Sequence, residues 1–502
     1  MMINTVKRKK YLLLCIILDI VAIGLIPFNV LLVNFDMPEF VGVVSGLIVI
    51  ASTVLFFRKS NGRKITKVIV CILGISAMLI SVLGGYCNPY WNGIMFRRNV
   101  DYSSKAYNDQ LSSKEAIEDL EYAMKYLKKL HPALYKQIPE NISQQYVSEK
   151  ARLEKSQSIS VNELAKEIES IFSILRDGHT YVCGSYDDRR IMKYYRKWLK
   201  EGYEITAVNG ISIEELLEQK STYYSFETTS WQYEWLSDDI VTVAGIDYLG
   251  FDMEKGIEYT LTSKEGQIRT EVCYLEDFLP WKEYDEFNNI VEDETEEESF
   301  VRYEIDTENK VAILYLDQCT YNGEYIHCLR EMFEEVKAKN IENLAVDLRH
   351  NGGGSSMVVS EFFKYLDIDS YQIVSIGWRF GFLYFNLGDG VSKNEKYDEL
   401  LFDGNLYLLT SAGTFSSAMM FAEYVKDNGL GTVIGEAPGN NPNGYGEVVY
   451  FKLPNSKLFM SISTKRFYRA DKECTDELVY PDIECNSESA LEELYKQKGV
   501  AK

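Results

Sequence analysis

The sequence predicts three N-terminal transmembrane helices followed by a large α/β portion with a layered core. Three observations carry this expectation. The chain opens with three apolar runs, 11–33, 40–57 and about 65–86. Each is long enough to cross a hydrocarbon layer of about 30 Å as a helix. From Val311 onward, short apolar stretches alternate with amphipathic ones, the rhythm of parallel strands joined by helices. Finally, the 502 residues are 46% hydrophobic and 13% aromatic, with 36 tyrosines, enough for real cores and unlike a disordered chain. The expected organisation is a membrane anchor over 1–98, a helical lead-in over 99–185, a β-rich segment with an acidic linker over 186–298, and an α/β core over 299–490.

Three successive spans argue against a cleaved signal peptide. Asp19 is an unusual acid within the first run and reads as a polar group at a helix–helix interface or as a functional one. Lys7, Arg8, Lys9 and Lys10 precede that run, and Arg58, Lys59, Arg63 and Lys64 fill the second loop, whereas the first loop carries Asp36 and Glu39 and no base. Basic loops face the cytoplasm. The expectation is a multi-pass cell-membrane protein with a cytoplasmic N-terminus, the lipid bilayer as a partner and everything after about residue 90 extracytoplasmic. Arg97 and Arg98 are outnumbered by the two basic clusters.

The lead-in shows helical spacing through Ile117, Leu120, Ala123, Met124 and Leu127, closed by Pro132, and again through Leu164, Ile168, Ile171 and Phe172. It ends in Asp177-Gly178-His179-Thr180, where the period changes to that of a strand. Glu204 to Val208 alternates as a strand, Asn209-Gly210 is a turn signal, and an amphipathic helix start follows; this piece resembles part of a PDZ-like domain. Residues 258–262 and 269–274 form an expected hairpin, and the acidic run 292–298 reads as a solvated linker. Beyond it, strands are expected at 311–316, 344–348, 406–410 and 432–434, with helices at 325–339, 357–365 and 417–427.

A formal charge of -22 excludes nucleic acid as a partner, since nothing would neutralise a phosphate backbone. Nine cysteines include no C-x-x-C pair, so no zinc site is expected. Four histidines exist, His131, His179, His327 and His350, which makes the search for a general base short.

Three segments could form one site. Asp347-Leu348-Arg349-His350-Asn351-Gly352-Gly353-Gly354 follows a buried-type strand, and its glycines can turn backbone N–H groups toward an anion, or simply form a flexible turn. Thr414-Phe415-Ser416-Ser417-Ala418 follows another strand. A serine there is presented at the carboxyl end of the sheet with the next N–H at a helix N-terminus, although Ser416 or Ser417 also reads as an ordinary N-cap. His179 gains weight because a serine nucleophile needs a base, with His350 as its rival.

The order of these segments, followed by Ile434-Gly435-Glu436 and Pro481-Asp482-Ile483, resembles the C-terminal processing peptidase family and its tricorn-core-like branch, over roughly residues 110–490. The resemblance implies a ClpP/crotonase-like layered core, a PDZ-like insert, a peptide or protein substrate, and no metal or organic cofactor. It assigns Ser416 as nucleophile, His179 as base, and the N–H groups of Ser417 and of Gly353 or Gly354 as oxyanion hole. Where the bacterial branch carries a lysine base this chain has Asn441, and no lysine lies between Lys426 and Lys452. The acid that orients the histidine is implied at Glu473, with Asp476 and Glu477 as alternatives, and Gly178 stands where tricorn enzymes have serine. The implied activity is a membrane-anchored serine endopeptidase or processing peptidase; the alternative is an inactive peptidase-like module that binds or senses peptides.

Overall fold

A computed structural model describes residues 103–185, 190–288, 299–388 and 390–497, with scattered positions between 13 and 94. The expected spans 11–33, 40–57 and 65–86, apart from those scattered positions, and the linker 292–298 lie outside the described residues. Among the described residues no helix is long and apolar enough to cross a membrane. The three transmembrane helices and the multi-pass membrane location predicted from sequence are therefore corrected to a mixed α/β fold. The physical reason is composition along the helix. A span needs about 20 consecutive apolar residues, whereas the longest described helix, Ser113–Leu130, is 18 residues long, amphipathic and carries charges along its length.

Those lead-in helices begin where the chain supplies its own caps. Ser112 and Glu115 satisfy each other's backbone N–H groups ahead of Ser113–Leu130, and Ser160 and Glu163 do the same ahead of Val161–Phe172. Their apolar faces, through Leu120, Leu127, Leu164 and Ile168, enter one core with Tyr259 and Leu261 of a four-stranded sheet and with Val449, Phe451 and Ile462. In the four-stranded sheet the order is Ile211–Ser212, Tyr203–Val208, Ile257–Ser263, Ile268–Cys273. Asn209 and Gly210 both take positive φ, 49° and 76°, as a tight hairpin turn requires.

The α/β core holds a six-stranded sheet in the order Val301–Asp306, Val311–Leu316, Asn343–Asp347, Asn405–Thr410, Thr432–Gly435, Ile483–Glu484. The first pair is antiparallel and the rest are parallel. Asn343–Asp347 is buried throughout, as a strand covered on both faces must be. One face packs Leu314, Val346 and Leu408 against Phe333, Phe362 and Phe421 of the crossover helices. The other packs Ile313, Ala345 and Leu409 beneath Leu494 and Tyr495 of the helix Ala490–Gln497.

A second sheet is antiparallel, in the order Leu383–Leu387, Ser375–Phe380, Phe459–Tyr468, Tyr445–Lys452. The short strand Tyr181–Val182 joins it by pairing Tyr181 with Ser461 and Val182 with Met460. That pairing ties the end of the lead-in to the second sheet. Ser461 Oγ donates to the His179 carbonyl at 2.7 Å, and Ser463 N donates to Thr180 Oγ1 at 2.9 Å.

Candidate active site

Ser416 sits between the strand Asn405–Thr410 and the helix Ser417–Asp427 with φ 56° and ψ -120°. A side-chain-bearing residue holds such a backbone only when its surroundings over-determine it. Here they do. Thr414 Oγ1 donates to the Leu348 carbonyl at 2.8 Å, Phe415 N donates to the Asn351 carbonyl at 3.0 Å, and Ser416 N donates to Asn440 Oδ1 at 2.7 Å.

The glycine turn packs directly against the serine. A Cβ at Gly353 would lie 2.6 Å from Ser416 Cβ, and φ at Gly353 is 104°, so both space and backbone demand glycine. Asn351 Oδ1 accepts the Gly353 N–H at 2.8 Å while its Nδ2 donates to the Leu316 carbonyl at 2.8 Å. Gly354 lines the cleft, and its carbonyl accepts the Ser417 hydroxyl at 2.8 Å. Ser417 is the first residue of its helix, so its N–H has no acceptor within the helix. Of the two glycines expected from sequence, Gly354 therefore faces the cleft, and the Gly353 N–H is already engaged.

His179 and Ser416 line the same cleft, a cavity of about 530 Å³. The imidazole lies over the ring of Phe415, the residue before Ser416, with centroids 4.6 Å apart. Phe415 in turn stacks on Trp231 at 3.9 Å. A Cβ at Gly178 would come within 3.0 Å of Phe415 Cζ and 3.1 Å of Trp231 Nε1, which accounts for glycine rather than serine there. Both ring nitrogens of His179 are shielded from solvent and make no hydrogen bond.

The carboxylate beside His179 is Asp177. Its Oδ1 accepts the His179 backbone N–H at 2.9 Å and lies 3.7 Å from Nδ1. Its Oδ2 is 3.0 Å from Nε2 of fully buried His131. His131 Nδ1 accepts the Ala133 N–H, so the proton that bonds Asp177 sits on Nε2. Burial would push the Asp177 carboxyl up, yet the hydrogen bond from His131 and the electrostatic influence of the two imidazoles beside it hold it well below the usual carboxylate range. Glu227 completes the surroundings. Its Oε2 accepts the Asn441 N–H at 2.6 Å, and burial first and the Asp177 charge second push its carboxyl up to about 8.

The structure does not bring Glu473, Asp476 or Glu477 to His179. All three are exposed, and Glu473 N donates to Asp471 Oδ1 at 2.9 Å. His350 is exposed and lies in a separate depression with Arg349 and Glu436. Asn441 occupies a turn whose neighbour Asn440 binds the Ser416 amide, so this turn supports the serine without supplying a base. Sequence reasoning overlooked the supporting roles of Asp177, His131, Glu227 and Asn440. Only Asp177 had a local signal, its two-residue spacing from His179.

Residues 310–485 match the model of Peptidase family S41. No curated protein matches the chain. Among solved structures the chain is similar to mature CPAF, with 14% identity over 77% of this chain and 96% of that one and a TM-score of 0.52. It is similar to mature CPAF complexed with lactacystin at 13% identity, 77% and 98% coverage and a TM-score of 0.51. A photosystem II D1 C-terminal processing protease matches at 14% identity, 77% and 97% coverage and a TM-score of 0.43. At these identities the two CPAF structures speak to fold. The segment that contains Ser416 thus matches peptidase family S41, and the chain is a serine-type peptidase, a hydrolase acting on peptide or protein substrates.

Proposed function

We propose that the chain is an endopeptidase or processing peptidase of Ser/His type, with Ser416 as nucleophile and His179 as general base. The observation that supports this reading most is the placement of Ser416. It stands in a strained backbone at a helix N-terminus, in one cleft with an imidazole whose nitrogens have no other partner. In this mechanism His179 accepts the Ser416 proton as the hydroxyl attacks the scissile carbonyl, then protonates the departing amine; water repeats the sequence to release the acyl group. Asp177, kept ionised by His131, orients His179 and stabilises its cationic form, with the 3.7 Å separation closing in the substrate complex. The N–H groups of Ser417 and Gly354 receive the developing oxyanion, each donor contributing about 3 kcal/mol. The PDZ-like segment takes a substrate chain by strand addition, a role supported by the position of Ile268–Cys273 at the edge of its sheet.

The test is labelling with a serine-reactive fluorophosphonate. The intact protein is expected to be labelled, with labelling lost in Ser416→Ala and strongly reduced in His179→Ala. Unchanged labelling of Ser416→Ala would show that another serine carries the reaction.

A further inference from the structure

The surroundings of His179 hold more donor atoms than a proton relay needs. Asp177, His179 and Glu227 each offer one ligand-type atom, and these atoms lie within 4.8 Å of one another. Asp177 is fully buried, and the side chain of His179 is 11% exposed. Neither ring nitrogen of His179 has a hydrogen-bond partner, and neither has Glu227 Oε1, although all three atoms are shielded from solvent. Unmet polar atoms clustered in a buried place are unusual, because each costs the desolvation of a group that water had satisfied. The three residues come from two parts of the chain. Asp177 and His179 precede the strand Tyr181–Val182, and Glu227 precedes the helix Thr229–Asp239. Glu227 is held by Asn441 through Oε2, which leaves Oε1 turned away from that bond.

We infer that Asp177, His179 and Glu227 form a binding site for a zinc-class divalent ion, and that the ion, by occupying His179, holds the peptidase inactive. One imidazole and two carboxylates suit a borderline transition ion, whereas calcium and magnesium favour all-oxygen shells. Bonds of about 2.0–2.2 Å place tetrahedral ligands about 3.4 Å apart, so the donors close by about an ångström around the ion. The ion reaches the site from the cleft that His179 lines. The inhibitory consequence rests on His179 being the base; the site itself does not.

The test separates the two. Zinc and cobalt are titrated calorimetrically into the Ser416→Ala protein, which needs no activity, and the visible spectrum of the cobalt form is recorded. The expected result is one tight site with a low-symmetry cobalt spectrum, weakened at least about tenfold by Glu227→Gln and by His179→Ala, with circular dichroism showing both variants folded. Equal affinity in the folded variants, or no binding to Ser416→Ala, would overturn the site. In the intact enzyme zinc is expected to abolish peptide hydrolysis reversibly, with a chelator restoring it. Binding without inhibition in an enzyme that depends on His179 would overturn the regulatory role. Binding in a protein whose activity ignores His179 would uphold the site and remove the proposed mechanism instead.

Discussion

At the scale of single residues, the space around Ser416 makes the sharpest demand. Gly353→Ala would place a methyl group 2.6 Å from Ser416 Cβ on a backbone at φ 104°. Displacing a nucleophile by an ångström costs about 10²-fold in rate, so kcat/KM of Gly353→Ala is expected to fall at least that far. Asp177→Asn is expected to lower kcat by about 10²- to 10⁴-fold with little change in KM, because it removes the charge that faces the imidazolium. Glu473→Ala, a change at an exposed position, is expected to leave kcat within about twofold. Steady-state kinetics on the three variants check all three statements, and the reverse ranking of Asp177 and Glu473 would restore the acid expected from the resemblance. Ser416 and His179 could be singled out from the sequence only through the order of the motifs that carry the resemblance, since the local stretch around Ser416 also reads as an ordinary N-cap. The support around them could not. Glu227 and Asn440 act through bonds to Asn441 and to the Ser416 amide, and no local spacing records contacts made across a fold.

Among elements, those of the parallel sheet could be read because each strand and crossover helix carries a complete pattern of its own. Val311–Leu316 and Ser417–Asp427 fall where the sequence places them, and Asn343–Asp347 and Gly323–Ala338 differ by one or two residues at their ends. The antiparallel sheet could not be read. Ser375–Phe380 finds its partner in Phe459–Tyr468, and Tyr181–Val182 is two residues long with no meaning apart from Ser461 and Met460. The helix that begins at Ser417 is tied to this sheet at its far end. Asp427 pairs with Arg469 at 2.7 Å with both side chains 2% exposed, and Arg469 also donates to the carbonyls of Asp476 and Leu478. Asp427→Ala would leave that guanidinium buried without its counter-charge. A loss of about 3–5 kcal/mol is expected from chemical denaturation, as for other broken buried pairs. The Ser416 end of the helix should then lose activity in proportion to unfolding rather than ahead of it.

For the whole molecule, the buried carboxyls set how stability depends on pH. Burial pushes Glu169 and Glu423 up to about 8 and Asp239 up to about 7. They lie in different places: Glu169 accepts the Val182 N–H, Glu423 the Ala470 N–H, and Asp239 the Tyr224 hydroxyl. Each is protonated in the fold at a pH where the unfolded chain has already lost that proton. Their contribution is therefore fully present below their unfolded pKa, near 4, and is lost as pH rises through about 7 to 8. Asp177 has the opposite sign: held low in the fold, it adds stability above about pH 4 that disappears on acidification. The two effects together put the stability maximum on the acidic side of neutrality. Each pKa unit is worth about 1.4 kcal/mol, so the buried acids together are expected to make the protein several kcal/mol less stable at about pH 8.5 than at about pH 5.5. Urea denaturation at the two pH values measures this. Glu169→Gln and Glu423→Gln keep the accepted hydrogen bonds without a proton to lose, so each should stabilise the protein at the higher pH and leave it nearly unchanged at the lower one. A pH dependence that stays the same in both variants would mean that these carboxyls are not the groups that titrate.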